Sequence, residues 1–136
     1  MSETTLSIGE LAKATQTKAV TIRYYEQLGL LPPSGRTAAG YRIYGEAERD
    51  RLLFVRRSRG LGFTLDDVRE LLGFADHREA SCAAVDAKVA QQLSQVKSRI
   101  RDLKALEAEL QRLLGCCKGG VIEECRIIES LTRHDC

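Results

Sequence analysis

The feature that most constrains the fold is a run of 33 residues, from Cys82 to Leu114, that contains neither proline nor glycine. Apolar residues recur along it at steps of mostly four and three, which is the spacing of a coiled-coil seam. A helix of this length spans ~50 Å, so a domain of this size cannot bury its apolar stripe. We therefore expect a second copy of the chain to cover the stripe, rather than a helix folded back on its own domain. The stripe consists of Val89, Leu93, Val96, Ile100, Leu103, Leu106, Leu110 and Leu113.

The composition suits a small helical protein. The chain has 136 residues, which fits one compact domain or a small domain followed by one long helix. Aromatic residues make up only 5% of it, so the core must be built from Leu, Ile, Val and Ala. No apolar run is long enough to span a membrane, and the N-terminal MSETTLSIGE lacks the features of an export signal. We therefore expect a cytoplasmic protein that does not enter a membrane.

Charge is unevenly distributed along the chain. Residues 1–62 contain ten Lys and Arg against six Asp and Glu, which gives +4, whereas residues 63–136 contain eleven against thirteen, which gives −2. A basic N-terminal half favours an anionic partner there, although an asymmetry of this size is also common on domains without one.

Two short helices are predicted near the N-terminus. Residues 1–6 are expected to be a frayed end, and Ser7 with Glu10 forms a capping-box pattern that begins the first helix. After a short break, the second helix is expected at Lys18–Leu28, with Gly29 ending it. The pair fits a helix-turn-helix and, equally, an ordinary helical hairpin.

The segment Arg36–Gly45 is predicted to form a two-stranded ribbon, or wing, because its residues alternate in character after an Ala-Gly turn. A lone hairpin is only marginally stable, so the wing must lean on neighbouring helices. Four of its side chains can donate hydrogen bonds to phosphate groups, which a purely structural hairpin would not require: Arg36, Tyr41, Arg42 and Tyr44.

Two further helices are predicted before the long one. The first is expected at Glu46–Gly60, where Leu52 and Val55 contribute to the apolar face. The second begins after a capping Thr64 and is expected to end at Gly73. A polar hinge at residues 75–81 then leads to the long helix.

Three of the five cysteines lie in one short loop, Gly115–Cys125, behind the long helix and ahead of a short amphipathic one. In a cytoplasmic protein, clustered cysteines more often bind a metal ion or do redox chemistry than form structural disulfides. A structural zinc site would show two CxxC pairs, and an iron–sulfur cluster would need four closer cysteines. A catalytic cysteine would need a nearby histidine, and the chain has only two. Metal binding is therefore favoured, with a redox-active thiol as the serious alternative.

Several segments occur in a specific order: SIGELAKAT, TIRYYEQLGLLPP and RTAAGYRIYGEAERDRLLFVRRSRGLGFTLDDVRELL, followed by the long helix. Together they resemble the MerR family of bacterial transcription regulators, and the resemblance extends from about Leu6 to Leu131. It implies a mainly α-helical homodimer. Each protomer would have a winged helix-turn-helix DNA-binding domain at residues 1–74, the hinge at 75–81, an antiparallel coiled-coil dimerisation helix at 82–114, and a metal-binding loop, short helix and tail at 115–136.

The resemblance also implies a mechanism. The dimer would bind double-stranded operator DNA in a promoter whose spacer is longer than RNA polymerase prefers. With its effector bound, the dimer would twist and kink the DNA so that polymerase engages both promoter elements, which is recognition through DNA deformation. No feature of the sequence indicates an enzyme.

The resemblance assigns DNA-binding roles to the second helix and the wing. Val20 and Thr21 would face base edges, Arg23 and Tyr24 would anchor phosphates, and Tyr25 would pack inside. Phosphate contacts position the protein and carry little sequence information. The wing would contribute backbone contacts from Arg36, Tyr41 and Arg42, and Arg56 would either add a phosphate contact or remain a plain solvated side chain.

For the effector site, the resemblance assigns Cys116 and Cys125 of one protomer, and Cys82 of the other, as ligands. Members with cysteine at position 82 respond to divalent ions, whereas copper(I)-responsive members have serine there. We therefore expect a soft divalent ion, Zn, Cd, Pb or Hg, bound by thiolates. Cys117 is an additional candidate ligand, similar to the zinc-responsive members, although this loop lacks their histidine. Further candidates, more often solvent-exposed bystanders, are His77, His134 and Cys136.

Three alternatives stay open from the sequence. Two are regulators of the same family that respond to thiol oxidation or to copper(I). The third is a metal-buffering module that does not bind DNA, and it would have no use for Arg23, Tyr41 and Arg42.

Overall fold

The computed structural model describes residues 5–32, 35–116 and 119–133. The chain divides into two units, Met1–Val85 and Asp86–Cys136. Within the described residues, no helix is long and apolar enough to cross a membrane.

The predicted helix pair is present in the first unit. Its helices are α1, Ile8–Thr15, and α2, Ala19–Gln27. The Ser7 backbone N–H donates to the Glu10 carboxylate, and the Glu10 N–H donates to the Ser7 hydroxyl, both at 3.1 Å. These hydrogen bonds, above all the one from the Ser7 backbone, hold the pKa of Glu10 below its usual value. The predicted capping box is therefore confirmed, and it fixes where α1 begins.

The wing belongs to a three-stranded antiparallel sheet. Its strands are β1, Leu6–Ser7, β2, Gly35–Arg36, and β3, Arg42–Tyr44, in the order β1-β3-β2. Both outer strands pair with β3, and Leu6 lies opposite Tyr44. The predicted two-stranded wing is therefore confirmed as β2 and β3, and β1 joins it as a third strand. The expectation of a frayed end is wrong at Leu6, and residues 1–4 lie outside the described residues. Leu6 is held because its backbone pairs with β3 and its side chain packs against the core.

Two longer helices complete the first unit. The first, α3, Glu46–Gly60, has the predicted bounds. The second, α4, Leu65–Ala75, begins after the predicted Thr64 cap, whose hydroxyl accepts a backbone N–H at 3.1 Å. This helix continues past Gly73, which the sequence predicts as its end. It does so because Phe74 packs against the core, and this contact outweighs the helix-ending tendency of glycine.

The core of the first unit is largely aliphatic, as the low aromatic content predicts. Its members come from all four helices of this unit and from β3, so their burial holds the helix pair to the sheet and to α3 and α4. The cluster comprises Leu11, Ile22, Tyr25, Leu30, Leu31, Tyr44, Leu52, Val55, Phe63, Val68, Leu71 and Leu72.

The long helix, α5, spans Ala83–Cys116 and has 34 residues. It passes through Gly115, so it ends two residues later than predicted. Most of the predicted stripe is exposed on the single chain, with Leu103 at 63% and Leu110 at 61%. A continuous exposed apolar surface of this length is typical of a protein interface.

The C-terminal end of α5 is covered by a short helix. After a 3-10 turn at Ile122–Glu124, the predicted amphipathic helix, α6, spans Arg126–Arg133. Nη2 of Arg112 on α5 donates to the hydroxyl of Ser130 on α6 at 3.2 Å. Leu113 is only 9% exposed on the single chain, unlike most of the predicted stripe. Its place in the dimerisation stripe stays a prediction.

The exposed stripe predicts that Ile100→Asp prevents dimer formation. Ile100 is exposed on the single chain, and an aspartate there would be buried in an apolar seam at a cost of several kcal/mol. Sedimentation at micromolar concentration should show a wild-type dimer and a monomeric variant. Ser98→Asp is the matched control, because Ser98 lies on the opposite face of α5, and this variant should remain a dimer. A dimeric Ile100→Asp variant would contradict the role given to the stripe.

Candidate nucleic-acid interface and cysteine site

Helix α2 buries one face and presents another. Ile22 and Tyr25 belong to the core, whereas Val20 is 72% exposed and Tyr24 about half exposed. Thr21, beside Val20, is partly buried. The inward position of Tyr25 is therefore confirmed, and the exposed face carries the side chains proposed for base and phosphate contacts.

A basic cleft of about 290 Å³ lies between α2 and the wing. It brings together four side chains that the sequence analysis assigns to DNA phosphates, although they are far apart along the chain. Three of the four are arginines, so the cleft has the charge and the donors of an anion-binding site. Its lining residues are Ile8, Arg23, Arg36, Gly40, Tyr41 and Arg42.

The wing turn is held by local hydrogen bonds. Nη1 of Arg36 donates to the Gly40 carbonyl at 2.9 Å, and the Thr37 N–H donates to the Tyr41 carbonyl at 2.8 Å. Gly40 has a φ of +87°, which residues with a side chain rarely adopt. Arg36 therefore stabilises the turn as well as lining the cleft, while the Tyr41 ring remains largely exposed.

A buried carboxylate, that of Glu26 on α2, contacts the wing. Its side chain is 6% exposed, and its Oε2 lies 3.1 Å from Nε of Arg42. Among the described residues this Nε has no well-aligned acceptor, so the contact is an ion pair rather than a directed hydrogen bond. The Tyr44 hydroxyl donates to the other oxygen, Oε1. Arg42 is therefore a paired cation, not an isolated one.

Tyr44 is a core residue and not a phosphate contact. The sequence analysis groups it with the hydrogen-bond donors of the wing, but its side chain is fully buried. Positions 42 and 44 share one face of β3, and both side chains contact Glu26 on α2. The ring of Tyr44 continues into the core, whereas Arg42 lines the cleft. Burial, and then the hydrogen bond to Glu26, raise the pKa of the Tyr44 hydroxyl far above its usual value. The group therefore stays protonated and acts as a donor.

Sequence reasoning missed Glu26. A signal was present, because Glu26 is the only acidic residue between Glu10 and Glu46, in the segment that carries most of the proposed DNA contacts. A single acid in such a segment must either weaken binding of an anion or be paired with a cation.

Arg56 contacts the turn of the helix pair. Its Nη2 donates to Oε1 of Gln16 at 3.3 Å. Gln16 follows α1 and has a left-handed backbone, with φ at 52°, which non-glycine residues seldom adopt. Arg56 thus ties α3 to the turn, a role that neither sequence-based alternative included.

Two further arginines hold the chain just after α2. Nε of Arg51 on α3 donates to the Leu30 carbonyl at 2.9 Å, and Nη2 of Arg69 on α4 donates to the Leu28 carbonyl at 2.8 Å. Positive charge at a helix C-terminus is also favourable for the helix dipole. These side chains therefore hold the C-terminal end of α2 against α3 and α4.

Two of the predicted metal ligands lie at helix ends. Cys116 is the last residue of α5 and is buried, and Cys125 directly precedes α6 and is partly buried. Between them, Gly119 and Gly120 have φ values of +92° and +104°, which allow a sharp turn. Cys82 is exposed and directly precedes α5. Cys82 therefore lies just before the long helix rather than at its first residue, and Cys116 ends this helix rather than lying in the loop behind it. Cys125 lies ahead of the short helix, as predicted, and the role of the three as ligands stays a prediction.

Within residues 5–32, 35–116 and 119–133, no three His, Cys, Asp or Glu side chains are grouped as a metal site requires. Cys116 is disulfide-bonded in this structure, and neither Cys82 nor Cys125 takes part in a disulfide. His77 is exposed, and its Nδ1 lies 2.7 Å from the Gly73 carbonyl oxygen. The other candidate ligands lie outside the described residues: Cys117, His134 and Cys136.

A guanidinium group lies beside the Cys116 sulfur. Nη1 of Arg112 is 3.9 Å from Sγ, and Nη2 of the same side chain contacts the buried Ser130 hydroxyl. Arg112 also pairs with Glu109, with Nε donating to Oε2 at 3.1 Å. Arg112 therefore connects the first cysteine of the loop with α6, the helix that follows the last.

Two sequence-family models match the chain. The model described as "MerR HTH family regulatory protein" matches residues 6–74, and the model described as "MerR, DNA binding" matches residues 49–113.

Relatives match along nearly the whole chain. The mercuric resistance operon regulatory protein of Bacillus cereus is 42% identical over 127 residues, covering 93% of this chain and 96% of the relative. Heavy metal-dependent transcription regulator 2 of Rhizobium meliloti is 35% identical over 126 residues, covering 93% and 86%. The crystal structure of the transcription regulator PbrR691 from Ralstonia metallidurans CH34 in complex with lead(II) matches with a TM-score of 0.81 at 40% identity, covering 93% and 98%.

The basic cleft predicts that Arg23→Ala weakens binding to all DNA sequences alike, because phosphate contacts carry little sequence information. The steepness of log affinity against log salt concentration should fall by about two, which is one phosphate contact for each protomer of the dimer. Anisotropy titrations of a duplex from the promoter upstream of its own gene, and of a scrambled duplex, would measure both. Arg99→Ala removes a positive charge from α5 instead and should leave both affinities nearly unchanged. A changed sequence preference at unchanged overall affinity would contradict the role of Arg23.

Proposed function

This chain belongs to the MerR family of helix-turn-helix transcriptional regulators, which bind promoter DNA, and we propose that its effector is a soft divalent metal ion. In this proposal the metal-bound dimer activates a resistance or efflux promoter by distorting its DNA. The observation that carries the proposal is the placement of Cys116 at the end of α5 and Cys125 at the start of α6, on either side of a glycine turn. Mercury and lead, which appear in the names of two relatives, suit such sulfur ligands.

Three thiolates form the proposed site: Cys116 and Cys125 of one protomer and the partner's Cys82. Thiolates suit Zn, Cd, Pb and Hg, and each cysteine must lose its proton to bind. When bound, the ion supplies the positive charge that allows three sulfur anions to lie together. Cysteine instead of serine at position 82 favours a divalent ion over copper(I). Cys117, next to Cys116, is an additional ligand in this proposal.

The exposed stripe of α5 supports a homodimer as the sensing unit. In an antiparallel pair, the start of one long helix lies near the end of its partner. Cys82, at the start of α5, would then approach the partner's loop although it is distant in sequence from its own. A ligand set shared in this way would restrain the loop and α6 against the partner chain, and so favour one arrangement of the dimer.

The DNA-binding half would act on a promoter in the cytoplasm, together with RNA polymerase. Each protomer would contact one arm of the operator, and contact energy would compensate for twisting the duplex. Base edges would be contacted by Val20 and Thr21, and phosphates by Arg23, Tyr24, Arg36, Tyr41 and Arg42.

A second candidate function is that of a thiol-redox regulator, because Nη1 of Arg112 lies 3.9 Å from Sγ of Cys116 and a nearby cation favours a reactive thiolate. In that case oxidation of Cys116, not metal binding, would shift the dimer between its two states. Cys82 separates the two candidates, because only the metal site requires it. Reductant separates them as well, because metal binding requires the reduced thiol.

Cys82→Ser should abolish the response to divalent ions while operator binding survives, because the variant loses one ligand and no DNA contact. Run-off transcription with Zn, Cd, Pb and Hg salts, under reducing conditions, would measure the response, and a gel shift would measure operator binding. Ala84→Ser is the control, because it places a hydroxyl on the same exposed turn without removing a thiol. A Cys82→Ser variant that no longer needs metal and still responds to a thiol oxidant would favour the redox regulator.

Mixed heterodimers test whether two chains share each site. One chain carries Cys82→Ser and the other carries Cys116→Ser with Cys125→Ser. In the shared arrangement, one site of this heterodimer keeps all three ligands and the other loses all three. Metal titration should therefore give about one ion per dimer at wild-type affinity, and the corresponding homodimers should bind weakly. If every site in the heterodimer is weakened, each site draws its ligands from a single chain.

A further inference from the structure

Glu26 is an acidic residue on α2, the helix that carries the proposed base contacts. It lies on α2, three residues after Arg23, and it is the only acid between Glu10 and Glu46. A carboxylate here repels DNA phosphates, and its burial removes favourable hydration. Its presence therefore requires contacts that compensate for both effects.

Both oxygens of Glu26 have such contacts. Oε2 pairs with Nε of Arg42 at 3.1 Å, and Oε1 accepts the hydroxyl hydrogen of Tyr44. The Tyr44 ring is fully buried in the core, so packing around the ring fixes the position of its hydroxyl. Burial and the neighbouring Glu26 also raise the pKa of this hydroxyl, which keeps it a donor.

The three residues join α2 to the wing. Glu26 is on α2, whereas Arg42 and Tyr44 are on β3 and share one face of that strand. Arg42 lines the basic cleft, and Tyr44 belongs to the core. Glu26 therefore connects Arg42, at the basic cleft, with Tyr44, which is packed in the core.

Electrostatics gives Glu26 a second effect. The same cleft is lined by three arginines, Arg23, Arg36 and Arg42, and their positive charges repel one another. An unpaired Arg42 would turn towards solvent, where its charge is better hydrated. The Glu26 carboxylate offsets this repulsion and restricts the directions in which the Arg42 guanidinium can point.

We propose that Glu26 is a positioning residue for DNA recognition, which aims Arg42 into the cleft and fixes the wing relative to α2. The proposal rests on DNA binding by this family and is independent of the effector. The proposal predicts that removing the Glu26 carboxylate has opposite effects on non-specific and on specific DNA binding, so the two can be measured separately. Loss of the carboxylate removes repulsion of any DNA, which strengthens non-specific binding. The same loss keeps the positive charge of Arg42 but no longer restricts the direction of its guanidinium or the position of the wing. Non-specific binding depends mainly on charge, whereas the specific complex needs the guanidinium at one phosphate, so the specific complex is weakened more.

The first experiment compares wild type with Glu26→Gln on two DNA probes. One probe is the duplex that wild-type protein enriches from a random library, and the other is a scrambled duplex of the same composition. We expect affinity for the enriched duplex to fall by about tenfold, as for loss of a charged contact. Affinity for the scrambled duplex should stay level or rise, so the specificity ratio falls. Equal losses on both probes, or no change on either, would overturn the proposal.

The second experiment is a double-mutant cycle with Arg42→Ala. In the wild-type background, Arg42→Ala should weaken binding to the enriched duplex by about tenfold. In the Glu26→Gln background the same change should have an effect of about twofold or less, because Arg42 is no longer aimed. Independent effects that simply multiply would show that Glu26 does not act through Arg42.

Two further variants separate positioning from stability. Tyr44→Phe keeps the buried ring and removes only the donor to Glu26, so it should lower the specificity ratio in the same direction but less. It also replaces Glu26→Gln as the decisive test if that variant does not fold. Glu46→Gln removes an exposed acid from α3 and should leave the ratio unchanged. A Tyr44→Phe variant that melts at a lower temperature, yet keeps the wild-type ratio well below that temperature, would show a purely structural role.

Discussion

An apolar stripe that a single chain cannot cover governs the organisation of this protein. Helix α5 has 34 residues, and Leu103, Leu106 and Leu110 are exposed along it. Most helical stability in proteins comes from packing of an apolar face, so in the proposed homodimer the partner would stabilise α5 as well as contact it. A two-fold partner would also set the separation of two DNA-binding units, which is what a protein reading two half-sites requires.

Local signals in the sequence were sufficient for most of the fold. The caps at Ser7 and Thr64 and the bounds of α3 follow from a few neighbouring residues, and the structure confirms them. The errors at Leu6 and Gly73 have a common origin. In both cases a contact with a distant segment overrides the local preference: a strand pairing at Leu6, and a core contact by Phe74, the residue after Gly73.

The sequence predicts which groups of side chains form the candidate sites, but it does not predict the contacts that each side chain makes. The sequence indicates a basic surface, but it does not show that Arg42 is paired while Arg36 supports its own turn. It also does not show that Glu26 lies among them. The same limit applies to the cysteines. The predicted helix ends locate Cys116 and Cys125, but the spacing of residues within one chain cannot identify a ligand that comes from a second chain.

The arginines behind α2 have a consequence for genetics. Arg51 and Arg69 lie on α3 and α4, yet they hold the backbone carbonyls that follow α2. Lysine has a shorter side chain and no counterpart of Nε, so it would reproduce these contacts less well, although it can still attract a phosphate. A screen for mutants that no longer regulate their promoter would therefore recover changes at these two codons beside those of α2. Replacement by lysine would distinguish arginines that contact DNA from arginines that support α2. The replacement would be tolerated at a DNA contact and would impair regulation at Arg51 or Arg69.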